Sequence, residues 1–128
     1  MSRRTHIELS VACEPELARI VRMTAANVAT LSSMSVDRVE DIRMAAEEAF
    51  IYACGAAPSQ ELSIAFDVDA SHVSMAFRLP VDEFPEPSEG DPTAAYVDLI
   101  LGSVCDVYEK GADPARLTLD LKADVHGV

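Results

Sequence analysis

Apolar residues recur at every second position through Ile7, Leu9 and Val11, at helical spacing from Leu17 to Ala53, and at every second position again from Leu62 to Leu79. This change of period is the strongest constraint in the chain. A period of two buries one face of a strand, and a period of about 3.6 buries one stripe of a helix. The spacing predicts a first helix over residues 14–31, with Leu17, Ile20, Val21, Ala25 and Val28 turned inward. Pro15 suits its first turn, where a missing N–H breaks no bond. Ser35 has the chemistry of an N-cap for a second helix over 36–54. Its stripe is Val39, Ile42, Ala46, Ala49, Phe50 and Ala53, and Gly55 and Pro58 end it. Two strands follow, 62–68 and 73–79, folded back over Asp69-Ala70-Ser71.

Residues 80–92 hold four prolines (Pro80, Pro85, Pro87, Pro92) and five acids (Asp82, Glu83, Glu86, Glu89, Asp91) without a basic residue. They read as a loop, and one this long inside a small domain is often functional. Beyond it, Ala94, Val97, Leu99, Ile100 and Leu101 mark a helix over 93–103. Strands over 104–108 and 117–121 are joined by Lys110-Gly111-Ala112-Asp113-Pro114. The order strand–helix–helix–strand–strand–loop–helix–strand–strand predicts an α/β (α+β) two-layer sandwich. It forms a single domain over 1–128, with a mixed sheet covered by helices on one face.

Composition narrows the function classes. The chain has 128 residues, with 22 Asp and Glu against 10 Lys and Arg and a formal net charge of -12. Hydrophobic residues make up 49%, too many for a disordered polyanion. So acidic a chain is a poor ligand for nucleic acid or for an anionic membrane, both of which need clustered Lys and Arg. Cys13, Cys54 and Cys105 are odd in number and far apart, so neither a disulfide framework nor metal-ligand spacing is implied. Each has apolar neighbours and reads as a buried thiol. The start Met1-Ser2-Arg3-Arg4 leads into the first strand and not into a signal-type apolar run, and no stretch is long enough to span a bilayer. A cytoplasmic protein is expected.

Two local strings carry a resemblance. Glu14-Pro15-Glu16-Leu17 with Arg22 five positions on looks like a Pro-Glu-Tyr-x4-Arg pattern at the start of a first helix. Val39-Glu40-Asp41-Ile42-Arg43-Met44-Ala45-Ala46-Glu47-Glu48-Ala49 looks like Ile-Glu-Asp-Leu-Lys-Ile-Ala-Val-Ser-Glu-Ala. Together with the element order, these resemble the bacterial anti-sigma factor serine/threonine kinases of the histidine-kinase-like (GHKL) ATPase superfamily. The resemblance is residue-specific over about 14–50 and rests elsewhere on element order. It implies the histidine-kinase-like ATPase (Bergerat-type) fold, and ATP with Mg²⁺ as ligands of an intact site.

The motifs that such a site needs are altered here. The family pattern Glu-x-x-x-Asn places a general base and a Mg²⁺ ligand on one helix face. Glu48 keeps the carboxylate and is the weak catalytic candidate, but Tyr52 stands at the amide position, and a neutral phenol is a poor Mg²⁺ ligand. Glu47 makes no acid/base pair with Glu48, because adjacent helical side chains point about 100° apart. Where the family has Asp-x-Gly-x-Gly, this chain reads Phe77-Arg78-Leu79-Pro80-Val81-Asp82-Glu83-Phe84, and no glycine lies between Gly55 and Gly90. Of the phosphate-cradling turn before the last helix only Gly90 is left, flanked by Glu89 and Asp91, whose charges repel a triphosphate. The expectation is therefore no cofactor.

What the resemblance leaves is a partner surface. Arg22, with Arg19 and Asn27 nearby, is expected on the first helix as the contact to a sigma factor or its antagonist, and a homodimer is implied by resemblance alone. The corresponding function is an anti-sigma regulatory factor that sequesters its partner without phosphoryl transfer, in a partner-switching pathway. The alternatives are an active ATP-dependent serine/threonine kinase and an unrelated interaction module sharing the fold. The acidic loop 82–91 reads either as solvated or as a surface that mimics nucleic acid or meets a basic partner. His6, His72 and His126 are isolated in sequence and carry no metal or catalytic pattern.

Overall fold

The computed structural model describes residues 4–125; His126 lies outside them. In chain order the elements are β1 (Thr5–Ala12), α1 (Ala18–Ala29), α2 (Val36–Ala56), β2 (Glu61–Val68), β3 (His72–Arg78), α3 (Thr93–Val104), β4 (Val107–Gly111) and β5 (Arg116–Lys122), with one 3-10 turn at Pro15–Leu17 before α1. The expected order is found throughout.

The strands form one five-stranded sheet in the order β1-β2-β3-β5-β4. One face carries Leu62, Ile64 and Phe66 of β2, Val73, Met75 and Phe77 of β3, and Leu117, Leu119 and Leu121 of β5, all buried. These nine side chains join the inward faces of the helices in one hydrophobic core. The opposite face presents Ser63, Ala65, Ser74, Ala76 and Thr118, small side chains with no helix over them. The architecture is the two-layer α+β sandwich, with helices on one face, expected of a histidine-kinase-like domain.

The expected mixed sheet differs in one respect, because every pairing is antiparallel. One helix separates β3 from β4, so the two strands run in the same direction. They never pair, because β5 lies between them and is antiparallel to both.

Ser35 caps α2 as its chemistry suggests: its Oγ accepts from the Arg38 N–H at 3.1 Å. The Ser35 N–H and hydroxyl both donate to the Asp124 carboxylate, which ties the chain end beyond β5 to the start of α2. Arg38 extends this clamp. Its guanidinium donates to the Lys122 carbonyl at 2.9 Å and the Val104 carbonyl at 3.1 Å, and pairs with Asp106 at 2.7 Å.

Three expectations are corrected. α2 passes through Gly55 to Ala56, because the Ala57 N–H still reaches the Ala53 carbonyl at 3.2 Å; the chain turns away only at Ala57 and at Ser59, whose φ is 61°. Ile20 is 51% exposed and not on the inward face of α1, which Ala18, Val21, Ala25, Val28 and Ala29 make instead. The fourth strand is Val107–Gly111 and not 104–108, because Val104 still belongs to α3 and the Cys105 N–H closes its last turn onto the Leu101 carbonyl.

Candidate functional site

α2 turns Glu48, Ile51, Tyr52 and Ala56 to one side, as spacings of three and four residues along a helix require. That side forms one wall of a cleft of about 480 Å³. The loop at 84–88 makes the second wall, and the first turns of α3, with Tyr96 and Val97, make the third. Glu48, Tyr52 and Asp91, which the sequence reading weighed against the family motifs, all line this cleft.

The chain's own groups occupy much of the chemistry of this cleft. Tyr52 stacks on Phe84 with ring centroids 5.4 Å apart and planes inclined by 17°. Lys110 of β4 sends Nζ to the Tyr52 hydroxyl at 3.0 Å and lies 4.7 Å from the centre of the Tyr52 ring. Its charge is balanced by Asp98 of α3 at 2.9 Å. The Tyr108 hydroxyl donates to the same carboxylate at 2.7 Å, and its pKa is raised, first by burial and then by that bond. β4, α2, α3 and the loop are thereby linked through one phenol and one carboxylate.

The turn before α3 is satisfied from within as well. Gly90, at φ 80°, supplies the left-handed step that leads into the helix. The Asp91 carboxylate then accepts from the Thr93 hydroxyl at 2.6 Å and the Thr93 N–H at 3.0 Å, which hold its pKa below the usual carboxylate range. An internal carboxylate thus takes the first N–H of α3, at the kind of helix N-terminus that binds phosphate in other proteins.

Glu48 lies in the cleft wall one turn before Tyr52. Glu47 points elsewhere, to Arg22 of α1, whose Nη1 sits 3.1 and 3.3 Å from its two oxygens. Both partners of that pair are about 30% exposed, so Arg22 already has an internal counter-ion. Arg19 and Asn27 are exposed on α1. Ile20, Met23 and Leu31 flank Asn27 at spacings of three and four residues, and each is about half exposed at 51%, 49% and 54%. The structure thus groups Arg19 and Asn27 with Ile20 and Met23 on one side of α1 and with Leu31 in the turn after it, while Arg22 turns toward α2.

Sequence reasoning missed Phe84, Lys110, Asp98 and Tyr108. Phe84 did carry a signal, as the one aromatic residue in an acidic, proline-rich stretch. The three cysteines are buried, as expected. Burial pushes the Cys54 and Cys105 thiols up to about 12. His6 meets Asp67 across the first two strands at 2.8 Å, and His72 meets Asp69 in the hairpin turn at 3.2 Å. Among the described residues no helix is long and apolar enough to cross a membrane.

No protein-family model matches the chain. The chain is similar to the serine-protein kinase RsbW of Oceanobacillus iheyensis, with 30% identity over 79 residues. The match covers 59% of this chain and 50% of that relative, so it spans about half the length of the curated protein. The likeness points the same way as the two strings on the first and second helices.

Proposed function

We propose that this protein is a regulatory relative of the anti-sigma serine kinases that acts by binding a protein partner and not by phosphoryl transfer. The partner in this reading is a sigma factor or its antagonist, and the setting is a cytoplasmic partner-switching pathway. The observation that carries it is the Tyr52–Phe84 stack. The side chain at the family's Mg²⁺-ligand position is a phenol packed against the loop that replaces a glycine-rich segment. Phosphoryl transfer depends on positioned metal and cationic groups around the phosphates. Here Asp91 of the corresponding turn is engaged by the Thr93 N–H and hydroxyl, and Glu48 faces an acidic cleft. Supporting the binding role is the stripe Ile20, Met23 and Leu31 with Arg19 and Asn27, an exposed apolar strip with a polar rim. Arg22 supports it indirectly, by fixing α1 against α2 through Glu47. A homodimer built on the small-residue sheet face belongs to the same reading, and sedimentation analysis tests it.

Two measurements test the main claim. Mg²⁺·ATP at about a hundredfold over a family-type Kd stabilises a binding protein by about 2.7 kcal/mol. No rise in Tm is expected here, and a clear rise overturns the loss of the nucleotide site. Capture of a co-encoded sigma factor or antagonist is expected to weaken on Ile20→Asp with Met23→Asp at unchanged Tm. Undiminished capture by that variant removes the α1 stripe as the docking surface.

A further inference from the structure

We propose that the cleft between α2, the 84–88 loop and α3 binds a small organic cation: an ammonium or amidinium group on an aromatic or short aliphatic body. This goes beyond partner binding through α1 and does not depend on it. A cavity of about 480 Å³ is within the range that holds small ligands. Its apolar wall includes Ile51, Phe84, Tyr96 and Val97. Every ionisable acid or base on its lining other than a tyrosine is a carboxylate, namely Glu48, Glu86 and Asp91, and no Lys, Arg or His contributes. Glu48 and Glu86 have no ion-pair partner among the described residues. Asp91 is held ionised by its two bonds from Thr93.

Aromatic walls with a carboxylate rim suit a cation whose charge is spread and whose body is apolar. A bare metal ion does not fit the same walls. No group of three carboxylate, thiol or imidazole side chains among the described residues converges closely enough to hold one. The acids stand apart around the cleft, so the ligand must span between them. Lys110 shows the compatibility of the aromatic pair with an ammonium, since its Nζ lies 4.7 Å from the Tyr52 ring centre and 5.9 Å from that of Phe84. Lys110 is neutralised by Asp98 and does not line the cavity, so the carboxylates of the cleft stay uncompensated. Such a local field concentrates cations and excludes a triphosphate.

The test is calorimetric titration and thermal shift of the intact chain with 2-phenylethylammonium as probe. Its neutral isostere 2-phenylethanol and agmatine are run beside it. Binding of the two cations, absent for the alcohol, is expected. The double variant Glu48→Gln, Glu86→Gln is expected to weaken it by about five- to tenfold. Neither side chain makes a hydrogen bond within the described fold, so the variant keeps the parent Tm without ligand. Equal binding of the alcohol would show an apolar cleft with no charge preference and overturns the proposal. So does cation binding that the double variant leaves unchanged, or no binding of either cation at about 10 mM, a Kd that corresponds to only about 2.7 kcal/mol. Recognition of an arginine-containing peptide but of neither free cation also overturns it, because the occupant is then a protein. Failure of the α1 stripe to capture a partner leaves these outcomes untouched, so the two claims stand or fall separately.

Discussion

Replacing Phe84 by alanine is expected to open the cleft and destabilise the fold by a measurable and divisible amount. Phe84 is half-buried and stacks on Tyr52 at 5.4 Å. Full burial of such a side chain contributes about 1.5–3 kcal/mol, so half burial contributes about 1 kcal/mol. An aromatic pair adds roughly 0.5–1.5 kcal/mol beyond its area. The single variant should therefore lose about 1.5–2.5 kcal/mol. At about 2.1 cal/mol/K of unfolding entropy per residue, a chain of 128 residues shifts Tm by roughly 4 °C per kcal/mol. Phe84→Ala should then melt about 6–10 °C below the parent. Tyr52→Ala removes the same stack together with the Lys110 hydrogen bond at 3.0 Å. The double variant should recover about 0.5–1.5 kcal/mol relative to the sum of the singles, because the stack can be lost only once. Urea unfolding followed by circular dichroism gives all four corners of the cycle. A coupling below about 0.3 kcal/mol, the noise of additivity for independent sites, refutes the packing of the loop on α2.

Arg38→Ala should cost about 2–4 kcal/mol in urea unfolding, because it strips donors from two backbone carbonyls and takes the counter-ion from Asp106 and Asp41. Arg38→Lys should rescue little of that, since one ammonium cannot span the same four partners. His6 is held above its ordinary 6.5, first by the hydrogen bond its ring donates to the Asp67 carboxylate, with burial opposing it. A raised folded pKa gives stability that is complete below 6.5 and fades as pH rises through the folded value. A proton-NMR titration should show that raised midpoint, and Asp67→Asn should return it toward 6.5. Asp69, bonded by the Ser71 N–H and hydroxyl, has the opposite sign. Its contribution is present above the ordinary 3.8 and lost as pH falls through the lowered folded value, so Asp69→Asn should flatten the acid limb of the melting curve. Cys54 and Cys105, with thiols near 12, should resist a thiol-reactive dye in the native state and react on unfolding. Fast native labelling of either contradicts their burial.

Much of the fold was legible because period and punctuation agreed. The strands at β2, β3 and β5 bury alternate residues as their sequence alternates, and Ser35 announces α2 by its capping chemistry. The failures have a common physical cause. Ile20 and Val21 are adjacent in a helix, so both cannot sit at the middle of one stripe, and the small residues Ala18, Ala25 and Ala29 decided for Val21. α3 is apolar nearly all round, so its sequence could not say that Val97 and Leu101 face inward while Leu99 stays 71% exposed. Of the cleft, the sequence singled out Glu48, Tyr52 and Asp91 only as separate positions. Its positive content, Phe84 on Tyr52 and Lys110 with Asp98, joins residues far apart in the chain. No spacing rule reaches that far.

The charge of the chain shows why a sum cannot stand for a site. A net charge of -12 could weigh only against nucleic acid and anionic surfaces. The fold sorts those acids by partner. Glu47 is taken by Arg22, Asp106 and Asp41 by Arg38, Asp98 by Lys110, and Glu40 by Arg43. Glu47, which the sequence places beside Glu48, therefore adds nothing to the field of the cleft. Glu48, Glu86 and Asp91 remain on its wall, facing aromatic and aliphatic side chains. Coulomb energy between surface charges falls away within about 10 Å in salt, so these three carboxylates weigh most on a ligand in the cleft, beside a Lys110 already paired with Asp98. The acidity that bears on the proposed ligand is therefore a local concentration of three carboxylates, which by Coulomb's law opposes a triphosphate and attracts a cation.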